Sequence, residues 1–326
     1  MTQTVVVTGA SGYIGGQTVI KLLQRGYKVV AIDMRPLPAN LIAFCKKFED
    51  TFRFHHFPFE SETALNLISV ANQPTAIIHC AAQSLVGPSM TDPEIYYQNN
   101  VVNLKKLLDC MSSRLKDCRL IFSSSASTYG NPIMTPIAEE DPQMPISPYG
   151  ETKLIGEWLI KNYTRSYDMD HVCFRYFNAT GADPEQLHGQ RLGATHIIAQ
   201  MLEQHRQGKT FTIYGNDYDT ADGTCVRDYT HVCDIVDAHI MAIDRSLVPS
   251  DCYNLGTGQG FSNLEVYNTA CKVVGKEIAM EYGPRRPGDP AVLTAMSDKF
   301  NKITGWKPNY GLEQIVQHAW NWYERV

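Results

Sequence analysis

Hydrophobic and polar positions along the first half of the chain alternate between short apolar runs and longer stretches of helical period. The runs Val5–Thr8, Val29–Ile32, Phe52–Phe57, Ala76–Cys80, Leu120–Ser123 and His171–Phe174 predict strands. Segments near 13–25, 61–72, 92–114 and 148–167 predict the helices between them. Such alternation points to a parallel sheet covered by helices on both faces. A sheet buried on both sides needs strands that are almost wholly apolar, as these are. After about residue 178 the pattern loosens. Gly, Asp and Asn punctuate short elements there, including a strand at Phe211–Ile213, a helix near 231–245 and a terminal helix from Leu312 to Glu324. The expected fold class is α/β: a doubly wound parallel sheet over 1–177, then a smaller α/β domain over 178–326. Part of 229–245 could return to the first domain.

Composition narrows function more than fold. A chain of 326 residues suits two domains. A net charge of −5 without a long basic run argues against a nucleic-acid surface. It leaves a small ligand whose phosphates need only a few basic groups. Nine cysteines with no Cys-x-x-Cys pair and no zinc spacing read as reduced, mostly buried thiols, with no metal site. The N-terminus runs directly into a strand with no charged, apolar leader. No segment approaches the ~20 consecutive apolar residues that span a bilayer. A cytoplasmic protein without a membrane partner is expected.

Candidate chemistry begins at the first strand. Gly9-Ala10-Ser11-Gly12-Tyr13-Ile14-Gly15 is a glycine turn between that strand and the first helix. Gly9 permits the tight turn, Gly12 lets the backbone approach a pyrophosphate, and Gly15 lets the helix pack on the strand. The helix N-terminus then faces the phosphates with its positive end. A glycine triplet alone is weak evidence; flanked by strand and helix it marks a Rossmann-type dinucleotide site. Asp33 ends the second strand, where it can accept both adenosine ribose hydroxyls and repel a 2′-phosphate, favouring NAD over NADP. Arg35 is a counter-signal, since an arginine there can accommodate that phosphate.

Tyr149 and Lys153 stand four residues apart, on one face of a helix. A free tyrosine titrates near 10, too high for a base at neutral pH. A neighbouring ammonium would lower it, and so would the positive nicotinamide ring of NAD⁺. Tyr-x-x-x-Lys alone is common and more often structural; about 140 residues after a dinucleotide fingerprint it becomes specific. Upstream, Ser123-Ser124-Ser125-Ala126-Ser127 ends a strand where open α/β sheets bind ligands.

With these residues the chain resembles the extended short-chain dehydrogenase/reductase superfamily, and within it the UDP-galactose 4-epimerase family. Matching segments run nearly end to end. They include the glycine turn, Asp33, His79-Cys80-Ala81-Ala82, Tyr96 to Val101, Ser123 to Ser125, Tyr149 to Lys153, and Arg175-Tyr176-Phe177-Asn178. Gly215-Asn216-Asp217-Tyr218, Asp222 to Tyr229 and Arg285-Arg286-Pro287-Gly288-Asp289 follow. The resemblance implies that Tyr149 is the base, Lys153 its electrostatic partner and Ser125 a bridging hydroxyl. It places Ser11, Tyr13, Ile14, Ala81, Ala82, Ser123 and Tyr176 at the cofactor, with Asn99 near the nicotinamide ribose. It gives Asn178, Arg227 and Arg286 to the UDP diphosphate, Tyr214 to the uracil and Asp289 to its ribose. Arginine forks suit phosphate oxygens, although without the resemblance Arg285-Arg286 reads as solvated surface. Three departures stand out. Ser84 replaces a common lysine. Pro58-Phe59 replaces the Asp-Ile or Asp-Leu that meets adenine, leaving Phe59, Glu60 or a main-chain group. The uridine contact falls on His196 in a divergent segment.

The implied activity is a UDP-sugar 4-epimerase acting by transient oxidation at C4. Dehydratases of the superfamily carry Thr-Asp-Glu, and related decarboxylases a glutamate, where this chain has Ser125-Ala126-Ser127. A 4-ketoreductase and a non-catalytic NAD-binding sensor are the alternatives. Leu293 aligns with a position that is tyrosine in glucose/galactose-only members and smaller where N-acetyl sugars are accepted; a pentose stays open. Helices near 92–114 and 148–167 could form the four-helix homodimer interface of relatives, by analogy only.

Overall fold

The computed structural model describes residues 3–286 and 289–326, apart from the side chains of residues 71 and 72. Strands β1 (Thr4–Thr8), β2 (Lys28–Asp33), β3 (Phe52–His56), β4 (Ala76–His79), β5 (Arg119–Ser125) and β6 (His171–Tyr176) alternate with helices. Next come β7 (Asn178–Thr180), β8 (Phe211–Tyr214), β9 (Val226–His231), β10 (Asp251–Leu255), β11 (Gly260–Ser262), β12 (Met280–Gly283) and β13 (Val292–Leu293). One sheet takes the order β10-β6-β5-β4-β1-β2-β3. Its pairs β3–β2, β2–β1, β1–β4 and β4–β5 are parallel. Strand order reverses between β1 and β4, the switch point beyond whose carboxyl ends doubly wound sheets bind ligands.

The apolar periodicity explains this architecture. Val5, Val6, Val7, Ile77, Ile78, Leu120 and Ile121 are fully buried in the central strands. The helix Asn103–Arg114 lays Leu104, Leu107, Leu108 and Met111 into the core that holds Val6, Ile77 and Leu120. That i, i+3, i+4, i+7 spacing is one helical face.

The chain divides into two compact units. One comprises residues through Gly130 with Gln143–Arg175 and Val236–Tyr253. The other comprises Asn131–Pro142, Tyr176–Ile235 and Asn254–Val326. The chain therefore changes unit several times. Arg119 accounts for the membership of 236–253 in the first unit. Its buried guanidinium donates to the carbonyls of Ala242 and Val248 and pairs with Asp170 at 3.0 Å.

In the second unit β9 pairs antiparallel with β11 and parallel with β7 and β13, while β8 pairs parallel with β12. Helices Ile197–Arg206, Asn263–Val274 and Leu312–Arg325 supply a core that includes Ile198, Leu202, Val266, Ile315 and Trp322. The helix at Asn263 starts with a capping box: Ser262 Oγ accepts from the Glu265 N–H, and Glu265 accepts from the Ser262 N–H. All nine cysteines are free. Among the described residues no helix is long and apolar enough to cross a membrane.

Burial pulls two histidines of the first unit, His79 and His239, down to about 3, with the Lys153 charge adding to the effect at His79. An unfolded histidine titrates near 6.5. Between these values the unfolded chain binds more protons, so stability falls as pH drops from about 6.5 toward about 3. Denaturant unfolding from about pH 7 to about pH 5 should show this decline. His239→Phe, which keeps a ring against Phe174, should flatten the slope by up to about 1.4 kcal/mol per pH unit. An unchanged slope would contradict the neutral, buried histidine.

Candidate active site

The turn after β1 requires its glycines. Gly9 has φ +73, and a Cβ there would stand 2.6 Å from the Ala81 nitrogen. A Cβ on Gly15 would lie 2.1 Å from the Gly9 carbonyl oxygen. Gly12 caps the helix Tyr13–Gln24, which has no side-chain cap and no acidic residue in its first turn. The positive end of that helix is thus left for an anion. At the end of β2, Asp33 is buried and held by main-chain donors. Its Oδ2 accepts from the Ser11 N–H at 2.9 Å and its Oδ1 from the Arg35 N–H at 2.8 Å. Each carboxylate oxygen has a second lone pair for a ribose hydroxyl. Arg35 Nε lies 3.6 Å from Asp33 Oδ1, so the charge suited to a 2′-phosphate is turned to the carboxylate. These residues fit a dinucleotide without a 2′-phosphate.

Phe59 is buried in the first unit's core with its ring edge-on to His79, which leaves its main chain for any adenine contact. Beyond β4, Ala81 and Ala82 are half-buried and Ser84 is exposed. Asn100 organises this segment. Its Oδ1 accepts from the Gln83 N–H (2.8 Å) and from Asn99 Nδ2 (3.0 Å). Its Nδ2 donates to the Gln83 carbonyl (2.9 Å) and to Thr152 Oγ1 (3.0 Å). Sequence reasoning singled out Asn99 and passed over this neighbour, whose only signal was its place in the Gln-Asn-Asn string.

The helix Pro148–Tyr167 carries the acid–base pair. Ser147 caps it by accepting from the Gly150 N–H at 3.2 Å, and Pro148 occupies the first turn, where its missing N–H costs nothing. Tyr149 and Lys153 are 9% and 3% exposed. Lys153 Nζ donates to the Ser123 carbonyl at 2.7 Å and lies 5.0 Å from the Phe122 ring centre. Ser123 Oγ donates to Cys80 Sγ at 3.3 Å. Ser125 hydrogen-bonds the Tyr149 phenol, and its Oγ accepts from the Ser127 N–H at 3.1 Å.

Burial raises the Tyr149 phenol above its ordinary value, and the Ser125 hydrogen bond only partly opposes it. Burial also pulls Lys153 down to about 8, against the opposing influence of Cys80 and Glu157. Desolvation in the closed interior is thus the largest influence on the phenol, and it favours the neutral form.

Most of the residues expected at the nucleotide lie close together in the second unit. Arg227 Nη2 pairs with Asp289 at 2.6 Å, and Arg227 Nη1 donates to the Val226 carbonyl. Leu293 is the register partner of Arg227 across β13 and β9. The Arg286 guanidinium lies 4.1 Å over the Tyr214 ring. Asn178 Nδ2 donates to the Asp228 carbonyl at 3.2 Å. Tyr176 is buried at the end of β6, and His196 is exposed at the N-cap of the helix Ile197–Arg206. Arg285 differs from its neighbour: it stacks on Tyr218 at 4.3 Å and pairs with Asp217 at 2.6 Å. Pro287 and Gly288 of the same motif lie outside the described residues. Asp228 received no role from the sequence. Its buried carboxylate accepts from the N–H groups of Thr257, Gly258 and Ala295, tying those segments to β9 beside Arg227.

A glycine turn, an acidic end to the second strand and a buried Tyr-x-x-x-Lys helix on this sheet define a dinucleotide-dependent enzyme of the extended short-chain dehydrogenase/reductase class. The sequence model of the family described as GDP-mannose 4,6 dehydratase matches residues 6–319. The UDP-glucose 4-epimerase of Halalkalibacterium halodurans is 41% identical over 325 residues, covering 98% of this chain and 95% of that protein. Among solved structures, the UDP-glucose 4-epimerase from Stenotrophomonas maltophila with bound NAD and formylated UDP-arabinopyranose aligns with TM-score 0.93 at 31% identity, covering 99% of this chain and 98% of that one. The Bifidobacterium longum enzyme in complex with NAD⁺ and UDP aligns with TM-score 0.89 at 33% identity and the same coverage. The chain belongs to the UDP-glucose 4-epimerase family, within the larger family of the GDP-mannose 4,6 dehydratase model.

Asp33→Ala should weaken NAD⁺ binding about tenfold or more while affecting NADP⁺ less, because a charge-assisted bond to a ribose hydroxyl is lost. Calorimetric titration of both dinucleotides checks this. A variant retaining the wild-type preference would remove Asp33 from the cofactor site.

Proposed function

We propose that the protein is an NAD-dependent UDP-sugar 4-epimerase, its first unit binding the cofactor and its second the nucleotide. One observation carries this reading: Tyr149 and Lys153 are buried against Ser123–Ser125, and the turn that follows offers Ala126 and Ser127 rather than carboxylates. Elimination of water needs an added acid and base there; oxidation and re-reduction at C4 does not. Tyr149 removes the proton of the sugar 4-hydroxyl and later restores it, relayed by Ser125. Lys153 supplies positive charge while its bond to the Ser123 carbonyl fixes it in place. When bound, NAD⁺ supplies the hydride acceptor and the positive ring charge that the buried phenol needs. Arg227, Arg286 and Asn178 anchor the diphosphate, Tyr214 the uracil and Asp289 the ribose, so that the 4-keto sugar can turn and be reduced on its other face.

Leu293 is smaller than tyrosine, which supports UDP-N-acetylhexosamines as substrates beside UDP-glucose and UDP-galactose. The free thiols support a reducing, cytoplasmic setting. Tyr149→Phe should cut turnover by about a thousandfold while UDP binding stays within about threefold. Near-normal turnover would defeat the assignment. Assays on UDP-galactose, UDP-N-acetylgalactosamine and UDP-arabinose, side by side, define the sugar; activity on UDP-galactose alone would remove the argument from Leu293.

A homodimer completes the reading. Ile95, Val102 and Trp158, at 45%, 45% and 56% exposed, are large apolar side chains on the segments 93–102 and Pro148–Tyr167. Light scattering should give twice the chain mass, and Trp158→Glu should lower it toward one chain with cofactor binding kept. A wild-type monomer would exclude the dimer.

A further inference from the structure

A buried ion pair two helical turns beyond Tyr149 has no part in the chemistry so far. Glu157, on the catalytic helix, and Arg175, on β6, are 5% and 4% exposed. Arg175 Nη2 donates to Glu157 Oε2 at 2.7 Å and Nε donates to Oε1 at 3.0 Å, a two-point grip. Arg175 Nη1 also donates to the Tyr129 hydroxyl at 2.7 Å. Gln143 Nε2 donates to Glu157 Oε2 at 3.2 Å. The Ser124 hydroxyl donates to Glu157 Oε1.

The last contact completes a series. Tyr149, Lys153 and Glu157 occupy positions i, i+4 and i+8 of one helix and so share a face. Tyr149 meets the Ser125 hydroxyl, Lys153 the Ser123 carbonyl and Glu157 the Ser124 hydroxyl. Three successive helical turns grip three consecutive residues of β5. A helix anchored only by its first two rungs could slide or rotate on the strand, and a displacement near 1 Å can cost about a hundredfold in rate. We propose that Glu157, clamped by Arg175, is a positioning residue for the reaction: it sets the register of the catalytic helix on β5 and thereby holds Tyr149 and Lys153 on Ser125 and Ser123.

A second consequence concerns charge. The groups facing Lys153 are Tyr149, His79, the thiols of Cys80 and Cys173, and Glu157. Burial keeps His79 neutral near neutral pH and pushes the Cys80 thiol up, while a hydrogen bond to Cys252 and burial raise Cys173, so Glu157 is the anion that supports the ammonium. Removing its charge lets burial lower Lys153 further. Alkaline loss of activity should then begin at lower pH.

The proposal rests on the epimerase reading, and two variants separate the two. Glu157→Gln alone leaves Arg175 buried without its counter-charge and should destabilise the fold for that reason. The double variant Glu157→Gln with Arg175→Met replaces the pair by a neutral one, a change that buried ion pairs often tolerate in stability. Its amide can still accept from Ser124. With UDP-galactose we expect kcat of the double variant to fall about tenfold, KM to stay within about threefold, and the alkaline limb to move to lower pH. Carbon-13 lysine NMR, assigned with Lys153→Met, should show the Lys153 ammonium titrating below its wild-type value whether or not any sugar turns over. A wild-type protein without epimerase activity sinks the epimerase reading and leaves this NMR shift as the test of the pair. A stable double variant with wild-type kcat, pH profile and Lys153 titration would overturn the proposal and reduce the pair to a fold contact.

Discussion

The structure is organised around a lysine ammonium held inside a protein. Placing such a charge away from water costs on the order of several kcal/mol unless it is hydrogen-bonded and electrically supported. Lys153 meets both conditions by its bond to the Ser123 carbonyl and its place above the Phe122 ring. That arrangement demands a helix laid close against the end of β5, and a β5 that ends in serines instead of continuing its apolar run. The burial that secures the lysine also raises the tyrosine beside it. Burial alone therefore favours the neutral phenol. The remaining positive charge belongs to the dinucleotide, whose glycine turn and Asp33 lie in the same unit.

The second unit shows the complementary design, with basic groups that are pre-positioned rather than floating. Arg227 rests on Asp289, Arg286 on the Tyr214 ring and Arg285 on Tyr218 and Asp217. A guanidinium already immobilised loses less rotamer entropy when it binds an anion. Asp228 extends this economy to the backbone, holding residues 257, 258 and 295 around β9.

Much of this was legible because apolar periodicity and turn chemistry are local. The six strands of the first half and the helix at 148–167 stand where hydrophobic spacing puts them, and Gly9 and Gly15 are each explained by a backbone clash. What stayed hidden is polar and buried. β10 reads Asp251-Cys252-Tyr253-Asn254-Leu255, too polar to announce a strand of the main sheet. Yet Asn254 is fully buried, with its side-chain amide donating to the Ile137 carbonyl. Arg119, Asn100, Glu157 and Asp228 share the same disguise: each resembles a surface residue until partners far along the chain satisfy it. The Arg285-Arg286 pair combines both lessons, since adjacent identical residues take different environments.

In the proposed mechanism the acidity of Tyr149 comes from the cofactor's charge and not from Lys153 alone. Ultraviolet titration of tyrosinate, taken as the difference between the wild-type protein and its Tyr149→Phe variant, measures that acidity in protein loaded with NAD⁺ or with NADH. The phenolate should form at distinctly lower pH in the oxidised holoprotein than in the reduced one. Identical titrations in the two forms would contradict the claim.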